Sequence, residues 1–313
     1  MKATSALNVR RPTDDDLPAA LAVLQAADVA LLGESDWTES GLREEWEELD
    51  LAEDVWLVEL EGRLAGVASL TARGGGRFIA DGYVHPELRG RGVGSALIRV
   101  TEARARDLGE AGGEDSSYIQ NATIELDATP LYEAAGYLPV RHFWRLVANL
   151  DSEREVPVPE GVLLRNYRDP DECQVVYESL EAAFADHWEH QPRSYDEWAK
   201  RHFERDGFDP SLLWVAESEG EIAGAIDADD SHHQGEWGFI PAVGVLRAHR
   251  RRGIAEALLL TAFVELRARG ETRVALGVDA QSPTGATRLY EKVGMHVFWE
   301  AIVYEKELDD LGG

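Results

Sequence analysis

The chain alternates short apolar runs with stretches of helical periodicity, and the order in which they come appears twice. Leu7-Asn-Val-Arg-Arg11 reads as a strand, and Pro12-Thr-Asp-Asp-Asp16 supplies the cap of a helix over Leu17 to Ala27. In 39–49, Leu42, Trp46 and Leu49 share one helical face while carboxylates take the other, a solvated face. Residues 55–69 hold two apolar runs parted by Glu61-Gly62, the pattern of a β-hairpin. A glycine-rich loop at 73–77 leads into a strand over 77–84 and a helix over 95–108. A loose segment at 109–117 precedes a strand at 118–122. A short helix follows, opened by Thr129-Pro130 and ended by Gly136, and a strand at 141–148 closes the first half.

The second half replays this order. Between the halves, 151–159 is polar, carries two prolines and has no periodicity, as a linker would. Then come a strand at 162–165, a helix at 172–185, a helical excursion at 196–205 and a hairpin at 212–228 turning on Glu219-Gly220. An apolar run at 240–246 and a helix at 256–266 follow, then a strand at 272–279. The last helix is capped by Ser282 and stopped by Gly294, and the strand 295–305 ends the fold.

Landmarks confirm the repeat. Gly92 and Gly253 lie 161 residues apart (253 − 92). Trp56 in Val-Trp-Leu-Val-Glu matches Trp214 in Leu-Trp-Val-Ala-Glu at 158 (214 − 56), and Leu131-Tyr-Glu-Ala-Ala-Gly matches Leu289-Tyr-Glu-Lys-Val-Gly at 158 (289 − 131). Ordered features at nearly one period mean a duplicated domain. The expected organisation is an N-terminal lobe over 1–150, a linker over 151–160 and a C-terminal lobe over 161–313.

Composition changes this picture little, whereas charge narrows the partners. A hydrophobic content of 44% and nine Trp suit two packed cores. The single cysteine, Cys173, excludes an internal disulfide and fits a reducing compartment; it reads as a packing residue. No apolar run approaches a membrane span and the start lacks a signal-peptide core, so a cytoplasmic protein is expected. The formal charge of −28 is shared by both halves, a surface that repels nucleic acid and anionic membrane.

Against that field, two basic turns stand out. Arg89-Gly90-Arg91-Gly92-Val93-Gly94 and Arg250-Arg251-Arg252-Gly253-Ile254-Ala255 each follow an apolar strand and open a helix. The first N–H groups of a helix lack intrahelical partners and carry the positive end of the macrodipole, so this geometry cradles a phosphate. Glycine lets the backbone approach the ligand, and arginines add attraction and bidentate contacts.

The strand order, the two R-x-x-G-x-[G/A] turns and the two Leu-Tyr-Glu-x-x-Gly segments resemble the GNAT superfamily of acyl-CoA-dependent N-acetyltransferases, in a tandem two-lobe form similar to mycothiol synthase. The resemblance covers nearly the whole chain. It implies an α/β fold of two lobes, each a mixed β-sheet of α+β type, splayed between its fourth and fifth strands and flanked by helices. Acetyl-CoA, the acyl donor, would enter the gap with its pyrophosphate on the turn. Residues 89–94 with Val84 would form that site in the first lobe, and residues 250–255 with Val245, Leu246 and Ser282 in the second. Val245 and Leu246 are the candidates for free main-chain N–H groups, and Ser282 stands where many relatives carry an Asn.

Acetyl transfer to an amine needs positioning, a neutral nucleophile, an oxyanion donor and a proton for the leaving thiolate. Tyr290 matches the family's general acid. The second lobe's central strand lacks the carboxylate that relatives use as a base, which leaves Glu236, Asp227 or Asp229 as substitutes. The first lobe has Asp81 in that strand but no Asn-like cap before Tyr132. Both lobes are expected to hold a CoA-type ligand, with the chemistry in the second. Acceptor contacts are expected from Phe184, Asp186, Trp188, His190, Tyr195, Trp198 and 231–234; adjacent His232 and His233 point apart, so no metal is expected. The acceptor reads as a primary amine of a small molecule, the protein as a monomer or homodimer. A non-catalytic acyl-CoA-binding sensor and an acetyltransferase for protein N-termini or lysines are the other readings.

Overall fold

The structure is a computed structural model that describes residues 7–35, 37–114, 116–168, 172–185, 194–203, 208–230, 237–281 and 285–308. The chain forms two compact units, one of residues 1–142 with 301–313 and one of residues 143–300.

In the first unit, β1 (Leu7–Arg10) pairs antiparallel with β2 (Val55–Leu60), β2 with β3 (Arg63–Gly74), and β3 with β4 (Arg77–Val84). β4 then pairs parallel with β5 (Ser117–Thr123). Helix α1 (Leu17–Leu32) and α2 (Glu39–Glu47) bury Leu17, Val23, Leu24, Leu42 and Trp46 against the β2–β3 face that carries Val55, Leu57 and Val67. Helix α3 (Val93–Gly112) buries Ile98 and Ala105 with Phe78, Ala80 and Ile119. It runs beyond the helix expected to end at Leu108. The reason is packing: a Cβ at Gly109 would meet the Ser117 hydroxyl at 2.0 Å, so glycine is what allows the helix to pass β5. The expected loop at 73–77 is a tight turn, with Gly74, Gly75 and Gly76 at positive φ.

The second unit repeats the plan. β7 (Val162–Asn166) pairs with β8 (Leu213–Ser218), β8 with β9 (Glu221–Asp229), and β9 with β10 (Trp237–Val245), all antiparallel. β10 pairs parallel with β11 (Arg273–Asp279). Helix α5 (Cys173–Phe184) and α6 (Tyr195–Phe203) lie over one side, and α7 (Ile254–Ala268) buries Ile254, Leu258, Leu259, Phe263 and Leu266 in the main core on the other.

The closing strands depart from the linear division at 150 and 161. β6 (Leu138–Asn149) follows α4 (Thr129–Ala134), yet its residues 143–149 pair with β11 of the second unit. β12 (His296–Leu308) follows α8 (Ala286–Lys292), yet Ile302–Leu308 pairs with β5 of the first unit. Each unit is thus completed by the other repeat's last strand. The linker belongs to the second unit, where Arg154 donates from Nη1 to the Val293 carbonyl at 2.5 Å.

The exchange places Tyr304 of β12 inside the first core. Its ring stacks on Tyr132 of α4 at 4.9 Å and its hydroxyl bonds Thr129 at 2.9 Å. Truncating so large a buried aromatic costs about 3–5 kcal/mol. Tyr304→Ala should therefore speed amide exchange in residues 77–134 while leaving 254–290 protected, measured by hydrogen-exchange mass spectrometry. Loss of protection in 254–290 alone would contradict the strand assignment.

Candidate active site

The site begins where two parallel strands part. In the first unit, β4 and β5 pair from Arg77↔Tyr118 to Ala80↔Asn121 and no further, though both strands continue. In the second, β10 and β11 pair only from Trp237↔Arg273 to Phe239↔Ala275. The expected splay between fourth and fifth strands is thus present in both units.

Antiparallel pairing fixes which amides face the gap. Leu246 donates its N–H to the Ala223 carbonyl at 2.9 Å, and His85 donates to Ala65 at 2.9 Å. Since outward and inward N–H groups alternate along such a ladder, Val245 and Val84, one residue earlier, turn their N–H groups away from the hairpin and into the gap. Val245 thus presents a main-chain N–H toward the gap. Leu246 does not, because its N–H is already committed to β9.

Past the gap, the chain turns through 86–88 or 247–249 and enters α3 or α7. The two cradles share their backbone geometry at the glycine. Gly92 has φ 87° and ψ 1°, Gly253 φ 85° and ψ 2°, and neither receives a side-chain cap. The first-turn N–H groups of Val93 and Gly94, and of Ile254 and Ala255, consequently face outward with the helix dipole behind them. Where the first unit has Gly90 at φ 69°, the second has Arg251 at φ 63°, a left-handed residue with a Cβ.

The arginines divide the labour differently from the sequence expectation. Arg250 turns back, donating from Nε to the Val245 carbonyl at 3.1 Å and from Nη2 to the Ala183 carbonyl at 3.3 Å. It ties the end of β10 to α5. Arg252 reaches Ser218 at 3.3 Å, while Arg251 stays exposed at the cradle mouth. In the first unit, Arg89 forms an ion pair with Glu125, just beyond β5, at 2.9 Å, and Arg91 pairs with Glu61.

Tyr290 on α8 is 8% exposed and packs in the cluster that includes Val245, Ile254 and Val278. Its hydroxyl has no hydrogen-bond partner among the described residues, and burial pushes the phenol up to about 12. Tyr132, its counterpart, is enclosed between Tyr304 and Tyr137, the latter edge-on at 5.7 Å. Burial, with a smaller contribution from Asp81, raises its phenol further.

Several expected contacts fall elsewhere. Tyr195 meets Tyr177 edge-on at 5.7 Å and Trp198 meets it tilted at 5.5 Å, in the apolar cluster of α5 and α6. Trp198 is buried in this cluster and Tyr195 packs half-buried against it, because helical spacing turns both toward α5. Asp227 is fully buried opposite Ala242, and Asp229 lies opposite Phe239. Glu236, Ser282, Asp186, Trp188, His190 and 231–234 lie outside the described residues. The sequence reading missed Glu45 of α2. It sits against Ser69, which is paired with Asp81, at 3.5 Å, and burial raises it to about 7. The carboxylate on an otherwise solvated helix face gave no periodic signal of this.

The left-handed positions set a stability test. A Cβ at Gly253 would meet only Pro159, at an ordinary 3.5 Å, so Gly253→Ala costs the left-handed conformation alone, about 1–2 kcal/mol. Arg251→Gly removes the same kind of strain and should raise the melting temperature by a few degrees, about 2–4 °C per kcal/mol for a unit of this size. Calorimetry of both variants checks this; a stabilising Gly253→Ala would contradict the backbone geometry.

The acetyltransferase (GNAT) family profile matches residues 22–137 and 173–295, one match for each repeat. A mycothiol acetyltransferase from Thermobispora bispora is 31% identical over 229 residues, 71% of this chain and 74% of the relative. One from Nocardia farcinica is 32% identical over 248 residues, 76% and 78% respectively. Among solved structures, a GCN5-related N-acetyltransferase from Sphaerobacter thermophilus is 32% identical with a TM-score of 0.85, covering 96% of both chains. A tandem GNAT protein from the clavulanic acid biosynthesis pathway shares the fold, with a TM-score of 0.74 at 18% identity over 97% of this chain and 99% of its own. With the paired profile matches, the splayed sheets and the duplicated cradles, the chain belongs to the acetyltransferase (GNAT) family, as a tandem N-acetyltransferase that uses acetyl-CoA as its acyl donor.

Proposed function

We propose that the protein moves the acetyl group of acetyl-CoA to the primary amine of a small molecule, with the chemistry in the second unit. The observation that carries this reading is Tyr290, a phenol without a hydrogen-bond partner among the described residues, packed in the cluster that holds Val245 and Ile254. The pyrophosphate rests on the outward amides of Gly253, Ile254 and Ala255, with Arg251 and Arg252 at the mouth. The thioester carbonyl points at the Val245 N–H, which stabilises the developing oxyanion. The amine, neutral when it reacts, adds to the carbonyl carbon, its nitrogen gives up one proton to solvent, and the C–S bond breaks to release the thiolate.

Tyr290 serves the leaving sulfur. A phenol near 12 stays protonated throughout the working range, so its O–H is always available to the thiolate, whose own proton affinity corresponds to roughly 8.5. Full proton transfer from so weak an acid is uphill, and the phenol acts first as a hydrogen-bond donor to the departing charge. Solvent can complete the protonation.

Two features favour the second unit over the first. Tyr132 is stacked and enclosed, and the Arg89–Glu125 ion pair joins the two sides of the first unit's gap. Both cradles keep the backbone geometry for a CoA-type ligand, so the first unit holds one without reacting. The acidic surface suits a cationic or polar acceptor. The relatives named as mycothiol acetyltransferases make a mycothiol-related amine the acceptor to test first.

Tyr290→Phe should lower kcat by about 10²-fold or more, within the range of a lost acid, with little change in KM for acetyl-CoA. Tyr132→Phe should leave kcat within about threefold, since no catalytic step passes through it. Free-thiol release over an amine panel measures both; the reverse pattern would overturn the assignment. Because the Tyr290 phenol is raised, kcat should also show no alkaline decline below about pH 10. A falling limb that disappears in Tyr290→Phe would contradict this.

A further inference from the structure

The cradle of the second unit carries a carboxylate beside the place where an anion is to sit. With Gly253 opening α7, Glu256 is the third helical residue and the acidic group of the first turn. A glutamate at that position has a ready alternative to solvent: its side chain bends back over the start of the helix and accepts from the open amides there. The positive end of the macrodipole draws it the same way. Left to itself, Glu256 would occupy its own cradle.

This chain makes that closure elsewhere. At α6 the Ser194 amide donates to Glu197 Oε2 at 3.0 Å, and before α1 the Thr13 amide donates to Asp16 Oδ2 at 2.8 Å. Both acceptors stand three residues beyond the amide that they close, as Glu256 stands beyond Gly253. At α7 no side chain caps the opening residue. Glu256 Oε2 accepts instead from Lys292 Nζ of α8, at 2.5 Å. The glutamate side chain is 16% exposed and the lysine 64%. A pair with so solvated a partner adds little to folding, so its consequence is where it puts the carboxylate.

The first unit carries neither member of the pair. Gly92 opens α3 with the same left-handed backbone and the same lack of a side-chain cap. Three residues on stands Ser95, which has no charge to compete for the cradle, and Ala134 takes the place of Lys292 in the Leu-Tyr-Glu segment. Where the acid is present the base is present; where one is missing, so is the other.

We propose that Lys292 is a positioning residue for the acyl donor: by holding the Glu256 carboxylate toward α8, it keeps the amides of Gly253 to Ala255 open to the diphosphate. The inference rests on the acetyl-CoA reading of the second unit and adds the residue that stops the helix from filling the cradle itself. Without Lys292, the carboxylate returns over those amides and sets a negative charge where the diphosphate belongs. Lys292 also joins α8, which carries Tyr290, to the first turn of α7. A lysine that served only as that anchor would be missed equally with or without Glu256, so the double variant separates the two roles.

Hydrogen exchange resolved to single residues in the full chain tests this, first without ligand and then with CoA as the probe. In the ligand-free protein, Lys292→Met should slow exchange at one or more of the amides of 253–255 by about fivefold, with the amides of 92–94 unchanged as an internal reference. The slowing that CoA brings to 253–256 should then need about five- to tenfold more CoA than in the parent. Lys292→Arg, which keeps the charge, should behave as the parent. Combining Lys292→Met with Glu256→Ala should restore fast ligand-free exchange and bring the CoA dependence to within about twofold of the parent. Circular dichroism shows that each variant is folded. Lys292→Met with ligand-free exchange and CoA dependence both unchanged would overturn the proposal, as would a double variant that binds CoA as weakly as Lys292→Met. If CoA slowed none of these amides in the parent, the acetyl-CoA reading would fall, and the ligand-free comparison would still decide the role of Lys292.

Discussion

The structure depends on one interrupted hydrogen-bond ladder. Two parallel strands pair for three or four residues and then separate, although each remains extended. Main-chain groups left without partners inside a protein carry a desolvation cost, so an open gap of this kind persists only where solvent or a ligand satisfies them. The chain surrounds that gap with groups of one electrical sense. The Val245 N–H faces it, a helix N-terminus ends beside it, and arginines stand at its mouth. These are the requirements of a thioester that develops negative oxygen and carries a diphosphate tail.

The exchange of closing strands makes the two repeats dependent on each other without giving either the other's site. β5 and β11 each present an edge that an antiparallel strand must cover. Covering β5 with residues 302–308 brings in Tyr304, which stacks on Tyr132, while Tyr137 meets Tyr132 edge-on. Covering β11 with residues 143–149 brings in Leu146 and Ala148, and Tyr290 packs in the same core as Val245 with no hydrogen-bond partner for its hydroxyl among the described residues. The same sequence motif therefore sits in two different environments: Tyr132 lies between two other tyrosines, whereas Tyr290 packs among aliphatic side chains. Asp81 and Glu45 show the same divergence in polar form, since Ala242 stands opposite Asp227 where the first unit has Asp81 opposite Ser69.

Much of this was legible in the sequence because it is local. Hairpins turning on Gly62 and Gly220, the cradles at Gly92 and Gly253, and the short helices ended by Gly136 and Gly294 each need a left-handed residue that glycine marks. The repeat itself then revealed the family. What escaped was tertiary. Both final strands carry the same apolar pattern, so nothing in their periodicity says which edge each will cover. Arg250 belongs to a basic run, yet main-chain carbonyls of Val245 and Ala183 draw it inward. Leu246 and Val245 are adjacent and alike, and only the ladder's alternation decides which amide is free. Glu45 looked like any carboxylate on a solvated helix until α2 was laid over β3.

The central claim is that the diphosphate of acetyl-CoA is gripped by main-chain amides at a helix start beside the parted strands. Hydrogen exchange resolved to single residues, compared with and without acetyl-CoA, measures this directly. The account predicts slowed exchange concentrated at Gly253 to Glu256 and at Val243 to Val245 in the second unit. Slowing confined to side-chain-lined surfaces elsewhere, with these amides exchanging as fast as in the free protein, would contradict it.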